Sequence, residues 1–341
     1  MREVCRILDA NFNRAREALR VVEDCGRFAL NDPAITAVAK NMRSDLAEVL
    51  KVMPVDEMLT SRDTPGDIGT EISSPTESSR GSLADVVTAA CKRLTEALRT
   101  IEEYGKFVCP EKVLDIERMR YNSYTLEKRI TERLLVARRL AGARLYVLLG
   151  RQSCGSILET ARAAIAGGAD VIQLREKHVP DDQLLAMAAE LRELTDETGR
   201  IFIVNDRPDI ASIVGADGVH LGQHDLPVAD TRRLLRPGAV IGRSTHSLAQ
   251  AHAAVNEGAD YISVGPVFPT DTKDAGPAVG TELVKQVADD VHLPIVAIGG
   301  IGPDNAASVL QAGASLVAVC SAICAAKDPM AAARTIRSQL A

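Results

Sequence analysis

Between residues 144 and 323 the chain holds eight short apolar runs, most of them followed by a segment with helical periodicity. The runs are RLYVLLG (144–150), VIQLREK (171–177), IFIVND (201–206), GVHLGQ (218–223), VIGRST (240–245), YISVGPVF (261–268), PIVAIGG (294–300) and LVAVCSAI (316–323). Short apolar runs without strict alternation fit strands buried on both faces, and strands that alternate with helices pair in parallel. The intervening segments 182–198 and 305–312 carry clear helical periodicity. Eight such units in about 200 residues predict a compact (β/α)8 TIM barrel. The strings AGGAD, VGADGV, EGADYI and AGASLV mark helix-to-strand turns, where small residues let the chain reverse tightly.

The core of such a barrel must be aliphatic here, because tryptophan is absent and aromatics make up only 3% of the chain. A hydrophobic fraction of 46% argues against disorder. The formal charge of −6 and the scarcity of stacking platforms argue against nucleic acid as a partner. No apolar run has the length of a membrane span, and MREVCRILDANFNR lacks the apolar core of a signal peptide. The seven cysteines form no metal-ligand pattern. A cytoplasmic location with free thiols is the expectation.

The chain changes character near residue 140, giving an expected helical domain over 1–140 and a barrel over 141–341. The first part holds 23 basic and 23 acidic residues, so the excess of acid lies wholly in the second. It also contains a repeat. NRAREALRVVEDCGRF (13–28) and KRLTEALRTIEEYGKF (92–107) agree at eight of sixteen positions, including Glu23/Glu102, Gly26/Gly105 and Phe28/Phe107. A duplicated helical unit is predicted, with each glycine ending its helix and the charged residues on a solvated, salt-bridged face. Further helices are expected over 33–51 and 111–140. The Gly-, Pro- and Ser-rich stretch 61–82 reads as a loop, long enough to imply a role.

Active sites of TIM barrels lie at the C-terminal ends of the strands. Polar residues gather there in this sequence: Gln173, Arg175, Glu176 and Lys177; Asn205 and Asp206; Asp225; Arg243, Ser244 and His246; Thr270, Asp271, Thr272 and Lys273; Gly299 and Gly300; Ser321. Arg175, Lys177 and Lys273 suit phosphate oxygens. Ser244, Thr270 and Thr272 offer hydroxyl donors. Gly299, Gly300 and the turn into Ser321 offer backbone N–H groups for a second phosphate. Asp206 and Asp225 could share a Mg²⁺ ion with substrate phosphate, although each also reads as a helix cap. Glu176 reads as an ion-pair partner of Arg175 or Lys177, and His246 as a hydrogen-bonded support. His220 and His224 take ordinary structural readings. Arg207 and Arg243 would add positive field without touching substrate.

The motifs VIQLREK, VNDRPDIA, GADGVHLGQHDLP, IGRSTHS, SVGPVFPTDTK, IVAIGGI and CSAI, in that order, resemble those of the thiamine-phosphate synthase family over residues 144 to about 335. The resemblance implies a transferase that joins hydroxymethylpyrimidine diphosphate to hydroxyethylthiazole phosphate, releasing pyrophosphate. Gln173, Leu174, Arg175, Glu176 and Lys177 would hold the pyrimidine diphosphate, with Asn205 on the pyrimidine. Asp206 and Asp225 would bind Mg²⁺. Ser244 and Lys273 would face the diphosphate and ring, joining Arg175 and Lys177 as the catalytic set. Thr270, Thr272, Gly300, Cys320 and Ser321 would bind the thiazole phosphate. The family is thought to ionise first, leaving a pyrimidine-methyl cation for the thiazole nitrogen to trap. His224, where the family often has an acid, and Cys320 depart from the usual pattern. A non-catalytic or regulatory phosphate-binding barrel is the alternative.

DANFNRAREALRVVEDCGRF with SRDTPGDIGT resembles a helical domain fused to such synthases, whose relatives are regarded as an alternative hydroxymethylpyrimidine-phosphate kinase. The competing reading is a dimerisation or scaffolding module, through which the protein would form a homo-oligomer.

Overall fold

A computed structural model describes residues 1–68, 79–270 and 276–340. The chain divides into two compact units, Met1–Ala137 and Arg138–Ala341.

The first unit is helical: α1 (Arg2–Asp24), α2 (Pro33–Leu50), α3 (Val55–Thr60), α4 (Leu83–Val108) and α5 (Val113–Leu140). Local chemistry sets the starts. Asp32 caps α2 by accepting from the Ala34 and Ile35 N–H groups, with Pro33 in the first position where no donor is lost. Ser82 caps α4 through Asp85 N–H. Leu8, Ala15, Leu19 and Val22 of α1 and Ala90, Leu94, Leu98 and Ile101 of α4 form buried stripes in one core.

The repeat explains this core, with one correction. Gly26 and Gly105 do not end their helices. The chain continues past Gly26 in a π-helical turn, Cys25–Ala29, and α4 runs past Gly105 to Val108. Gly26 permits close packing instead: a Cβ there would lie 2.8 Å from Ile35 Cγ2. The repeated glutamates are also not solvated. Glu23 and Glu102 are buried. Each pairs with the arginine three residues earlier, Arg20 at 3.8 Å and Arg99 at 2.8 Å, and with one from the following helix, Arg43 or Arg120. The start of the 61–82 loop is docked on α1: Arg62 donates twice to the Asp9 carboxylate, and Arg6 donates to Asp63 O at 2.7 Å. Residues 69–78 of that loop lie outside the described residues.

The second unit is a closed parallel barrel of eight strands in sequence order. They are β1 (Leu145–Leu149), β2 (Val171–Leu174), β3 (Ile201–Asn205), β4 (Gly218–Leu221), β5 (Val240–Thr245), β6 (Tyr261–Val264), β7 (Ile295–Ile298) and β8 (Leu316–Val319). Between and after them run α6 (Ile157–Ala166), α7 (Asp181–Thr198), α8 (Pro208–Ile213), α9 (Val228–Leu234), α10 (Leu248–Glu257), α11 (Gly280–Asp290), α12 (Ala306–Gln311), α13 (Ser321–Cys324) and α14 (Pro329–Ser338). Side chains alternate along each strand. Leu145, Val147 and Leu149 of β1 join the aliphatic layer under the helices, while Tyr146 and Leu148 line a cavity within the barrel.

The repeated turn strings do more than reverse the chain. The residues before the even strands are Asp170, Asp217, Asp260 and Ser315, and each stitches its strand to the preceding odd one. Asp170 Oδ2 accepts from Leu145 N–H at 3.0 Å, and Asp170 N–H donates to Leu145 O at 2.9 Å. Asp217 does the same with Phe202, Asp260 with Ile241 and Ser315 with Ile295. Arginines neutralise the acids: Arg200 and Arg337 at Asp170, Arg139, Arg192 and Arg236 at Asp217, and Arg232 at Asp260. Four fasteners therefore close the N-terminal end of the barrel and leave the C-terminal end to the cavity. No helix among the described residues is long and apolar enough to cross a membrane.

Candidate active site

The cavity has a volume of about 600 Å³ and opens at the C-terminal ends of the strands. Its floor is polar yet uncharged. Gln173 Nε2 donates to the Tyr146 hydroxyl at 2.8 Å. That hydroxyl lies 3.0 Å from the Tyr261 hydroxyl, which lies 2.9 Å from His220 Nδ1. His220 Nε2 then meets Ser244 Oγ at 2.9 Å and Ser263 Oγ at 3.3 Å. Burial pulls His220 down to about 4, so the ring is neutral near pH 7. Run in one direction, the chain of donors leaves the Ser244 hydroxyl proton available toward the cavity. Gln173 is fully buried, and its Oε1 has no hydrogen-bond partner among the described residues. An unsatisfied buried acceptor is costly, so a ligand donor would be rewarded there.

Arg175 and Lys177 line the cavity, whereas Asp206 and Asp225, at the ends of β3 and β4, are not among its lining residues. Asp206 occupies the left-handed region at φ 61°, a conformation retained where side-chain placement matters. It caps no helix; its N–H donates to His220 O at 2.8 Å. Asp225 likewise caps no helix: its Oδ2 accepts from Gly222 N–H at 2.5 Å. The two carboxyls are close enough for Asp225 to act on Asp206. Burial first, and then the Asp225 side chain, push Asp206 above the usual carboxylate range, against the pull of Lys177 and Arg175. Lys177 Nζ lies 3.7 Å from Asp206. A half-buried pair of acids that repel each other suits a hard divalent cation, which takes one or two carboxylates and keeps water. Among the described residues no cluster of three His, Cys, Asp or Glu side chains joins them.

The structure brings Gln173, Arg175, Lys177, Asn205, Ser244, Thr270, Gly300, Cys320 and Ser321 to the cavity wall. It does not bring Leu174, whose side chain points the other way into the aliphatic layer, as strand alternation requires. Glu176 also leaves the site. Its carboxylate accepts from the backbone N–H of Arg151 and pairs with neither Arg175 nor Lys177. Thr272 and Lys273, with Asp271, lie outside the described residues. His246 supports the wall: its Nδ1 donates to Gly265 O at 2.6 Å. Arg207 is held by Asp181 and Asp209, and Arg243 by Glu257, away from the cavity. Tyr146, Tyr261 and Ser263 were not foreseen, and His220 does more than an ordinary core histidine. A polar residue at an inward position of an otherwise apolar strand is the signal that finds them.

A TIM barrel with a neutral polar floor and cations at the C-terminal mouth, beside a carboxylate pair, fits an enzyme that handles a phosphorylated small molecule. The model of the thiamine monophosphate synthase family matches residues 145–323, and that of the ThiD2 family matches residues 6–129. The chain is 44% identical to a thiamine-phosphate synthase of Gloeobacter violaceus over 96% of its own length and 94% of that protein's. It is 42% identical to one from a Nostoc species over 99% and 94%. A thiamine phosphate pyrophosphorylase structure from Pyrococcus furiosus shares 39% identity with a TM-score of 0.54, covering 58% of this chain and 95% of that one. The chain belongs to the thiamine-phosphate synthase family, with a ThiD2-type helical unit ahead of the barrel. It is a transferase of thiamine biosynthesis.

Proposed function

We propose that the cavity seats hydroxymethylpyrimidine diphosphate with its ring on the floor, and hydroxyethylthiazole phosphate nearer the mouth, and joins them as thiamine phosphate with loss of pyrophosphate. Arg175 and Lys177, which line a cavity with an uncharged floor, and the Asp206 and Asp225 pair beside Lys177 carry this reading. Gln173 Oε1 is free to accept from the pyrimidine amino group, and Asn205 lines the same wall. Arg175 and Lys177 bind the departing diphosphate and stabilise the charge that develops on it. Lys273 is assigned the same role from its motif. Asp206 and Asp225 would hold Mg²⁺, which supplies Lewis-acid stabilisation of the leaving group. Ser244, oriented by His220, donates toward the diphosphate or ring. Thr270, Gly300, Ser321 and the backbone at Cys320 receive the thiazole phosphate, with Thr272 assigned by motif. Since the thiazole nitrogen is itself the nucleophile, no strong base is required, and holding two substrates in register supplies much of the rate.

Replacing Asp225 with Asn keeps an acceptor for Gly222 N–H and removes the charge. Asp225→Asn is expected to lower kcat/KM by about 10²–10³ and to shift the Mg²⁺ titration to higher concentration, with unchanged circular dichroism. Normal turnover at limiting Mg²⁺ would refute the metal assignment.

For the helical unit we infer kinase activity that makes the diphosphate from the monophosphate. The polar group on α1, with Asp9 held by Arg62 and Asn11 buried, gives the docked 61–68 segment a fixed seat beside it.

A further inference from the structure

The floor links strands that are not all neighbours. Gln173 on β2, Tyr146 on β1, Tyr261 on β6, His220 on β4 and Ser244 on β5 form one chain of hydrogen bonds across the barrel. Its spacings, from the Gln173 amide to the Ser244 hydroxyl, are 2.8, 3.0, 2.9 and 2.9 Å. Gln173, Tyr146, Tyr261 and His220 are each buried. Ring packing holds the middle of the chain: the Tyr261 ring centre stands 6.3 Å from that of Tyr146 and 5.5 Å from that of His220.

A hydroxyl carries a single proton, so a chain of hydroxyls has a direction. Gln173 Nε2 donates only, and that sets the first link. Tyr146 then gives its proton to Tyr261, and Tyr261 gives its own to His220 Nδ1. The neutral ring keeps its proton on Nε2, which donates to Ser244 Oγ, and the Ser244 hydroxyl proton is left for the cavity. Ser263 Oγ, 3.3 Å from the same nitrogen, is a weaker second acceptor. Turning the Gln173 amide over would reverse every link. Its Oε1 would accept from Tyr146, His220 would carry its proton on Nδ1, and Ser244 would spend its proton on Nε2.

We propose that the Gln173 amide and the Tyr146–Tyr261–His220 relay make the Ser244 donor conditional on which ring occupies the floor, so that an aminopyrimidine is selected by switching on a hydroxyl donor at the far end of the chain. This inference rests on the seating of the pyrimidine ring given above. An amino group donates to Gln173 Oε1, which has no hydrogen-bond partner among the described residues, and holds the amide in the forward sense. A ring oxo group in the same place needs a donor, draws Nε2 toward itself and turns the chain round. The wrong ring then binds but lacks the hydroxyl proton offered by Ser244, so discrimination reaches kcat as well as binding. Tyr146, Tyr261 and His220 are positioning residues in this scheme, since they act through Ser244.

The His220 imidazole nitrogens report the direction of the chain. Full-length protein labelled with nitrogen-15 histidine, with His220 assigned by its loss in His220→Asn, is expected to show Nε2 protonated and Nδ1 bare at pH 7. Tyr146→Phe keeps the ring and deletes the hydroxyl, and should move His220 toward a mixture of the two tautomers. In assays of thiamine phosphate formation, Tyr146→Phe is expected to lower kcat about tenfold with KM for the thiazole phosphate unchanged. It should have no further effect in the Ser244→Ala background, where a merely structural role would add its loss. The wild type should turn over the oxo analogue of the pyrimidine diphosphate with a much lower kcat, and Tyr146→Phe should narrow that preference about tenfold. A wild-type His220 protonated on Nδ1, a tautomer that Tyr146→Phe does not move, losses that add in the double variant, or an unchanged kcat preference would overturn the proposal. Should Tyr146→Phe fold poorly, the wild-type spectrum and Tyr261→Phe decide in its place. The spectra need no substrate, so they test the relay alone. If Gln173→Leu left the amino-over-oxo preference in binding untouched, it would be the seating of the ring that failed, and with it the selection.

Discussion

Gly242 has no side chain because Tyr261 and His220 occupy the space that one would take. A Cβ there would sit 2.1 Å from Tyr261 Cζ and 2.5 Å from His220 Nδ1. The whole floor chain, from Gln173 to Ser244, therefore depends on a missing methyl group in β5. Gly242→Ala is expected to destabilise the barrel by about 1–3 kcal/mol through overpacking, read as a lower denaturation midpoint. It should also cut activity by more than the unfolded fraction explains, because Ser244 loses its orienting partner. At this scale the sequence was legible where polar residues sit at a strand end: Arg175, Lys177, Asn205 and Ser244 line the cavity. It was less legible inside the strands. Tyr146 and Tyr261 drew no attention in the sequence, and parity along the strand turns them inward. Leu174 and Glu176 were carried into the site by their neighbours in the QLREK run, although alternation sends one to the helix layer and a backbone N–H claims the other.

Among elements, the strands were plain because each is a buried apolar run, and caps such as Asp32 with Pro33 marked helix starts. The glycines of the repeat misled. Gly26 and Gly105 look like helix stops, but the helical chain runs on past both; at Gly26 the next helix needs close approach, whereas a Cβ at Gly105 would meet Ile116 only at an ordinary 3.6 Å. The GAD strings were read as turns, yet their acids are the fasteners between strand pairs. Asp217 serves three arginines and the Phe202 N–H at once. Removing it takes this acid from Arg139 and Arg236 and leaves Arg192 with Asp196. Asp217→Ala is expected to cost about 3–5 kcal/mol in chemical denaturation, while the folded fraction keeps its kcat, since the change lies at the end of the barrel away from the cavity.

For the whole molecule, two family matches on one chain place two activities in sequence if the helical unit is a kinase. Full-length protein given hydroxymethylpyrimidine monophosphate, ATP, Mg²⁺ and hydroxyethylthiazole phosphate is expected to form thiamine phosphate. If it turns over only when the pyrimidine diphosphate is supplied, the helical unit is a scaffold. The two-unit organisation was legible because hydrophobic periodicity changes from long helical stretches to short alternating elements near residue 140. What the helical unit does was not, because its buried Glu23 and Glu102 pairs look in sequence like any salt-bridged helix surface.

The floor of linked tyrosines and histidine has one more consequence, for traffic. A barrel plugged from beneath is a blind alley, and whatever is seated deepest must arrive first and depart last. If the pyrimidine sits at the bottom, as proposed, the thiazole partner would close the queue behind it, and the newly joined molecule would back out by the way both halves came in.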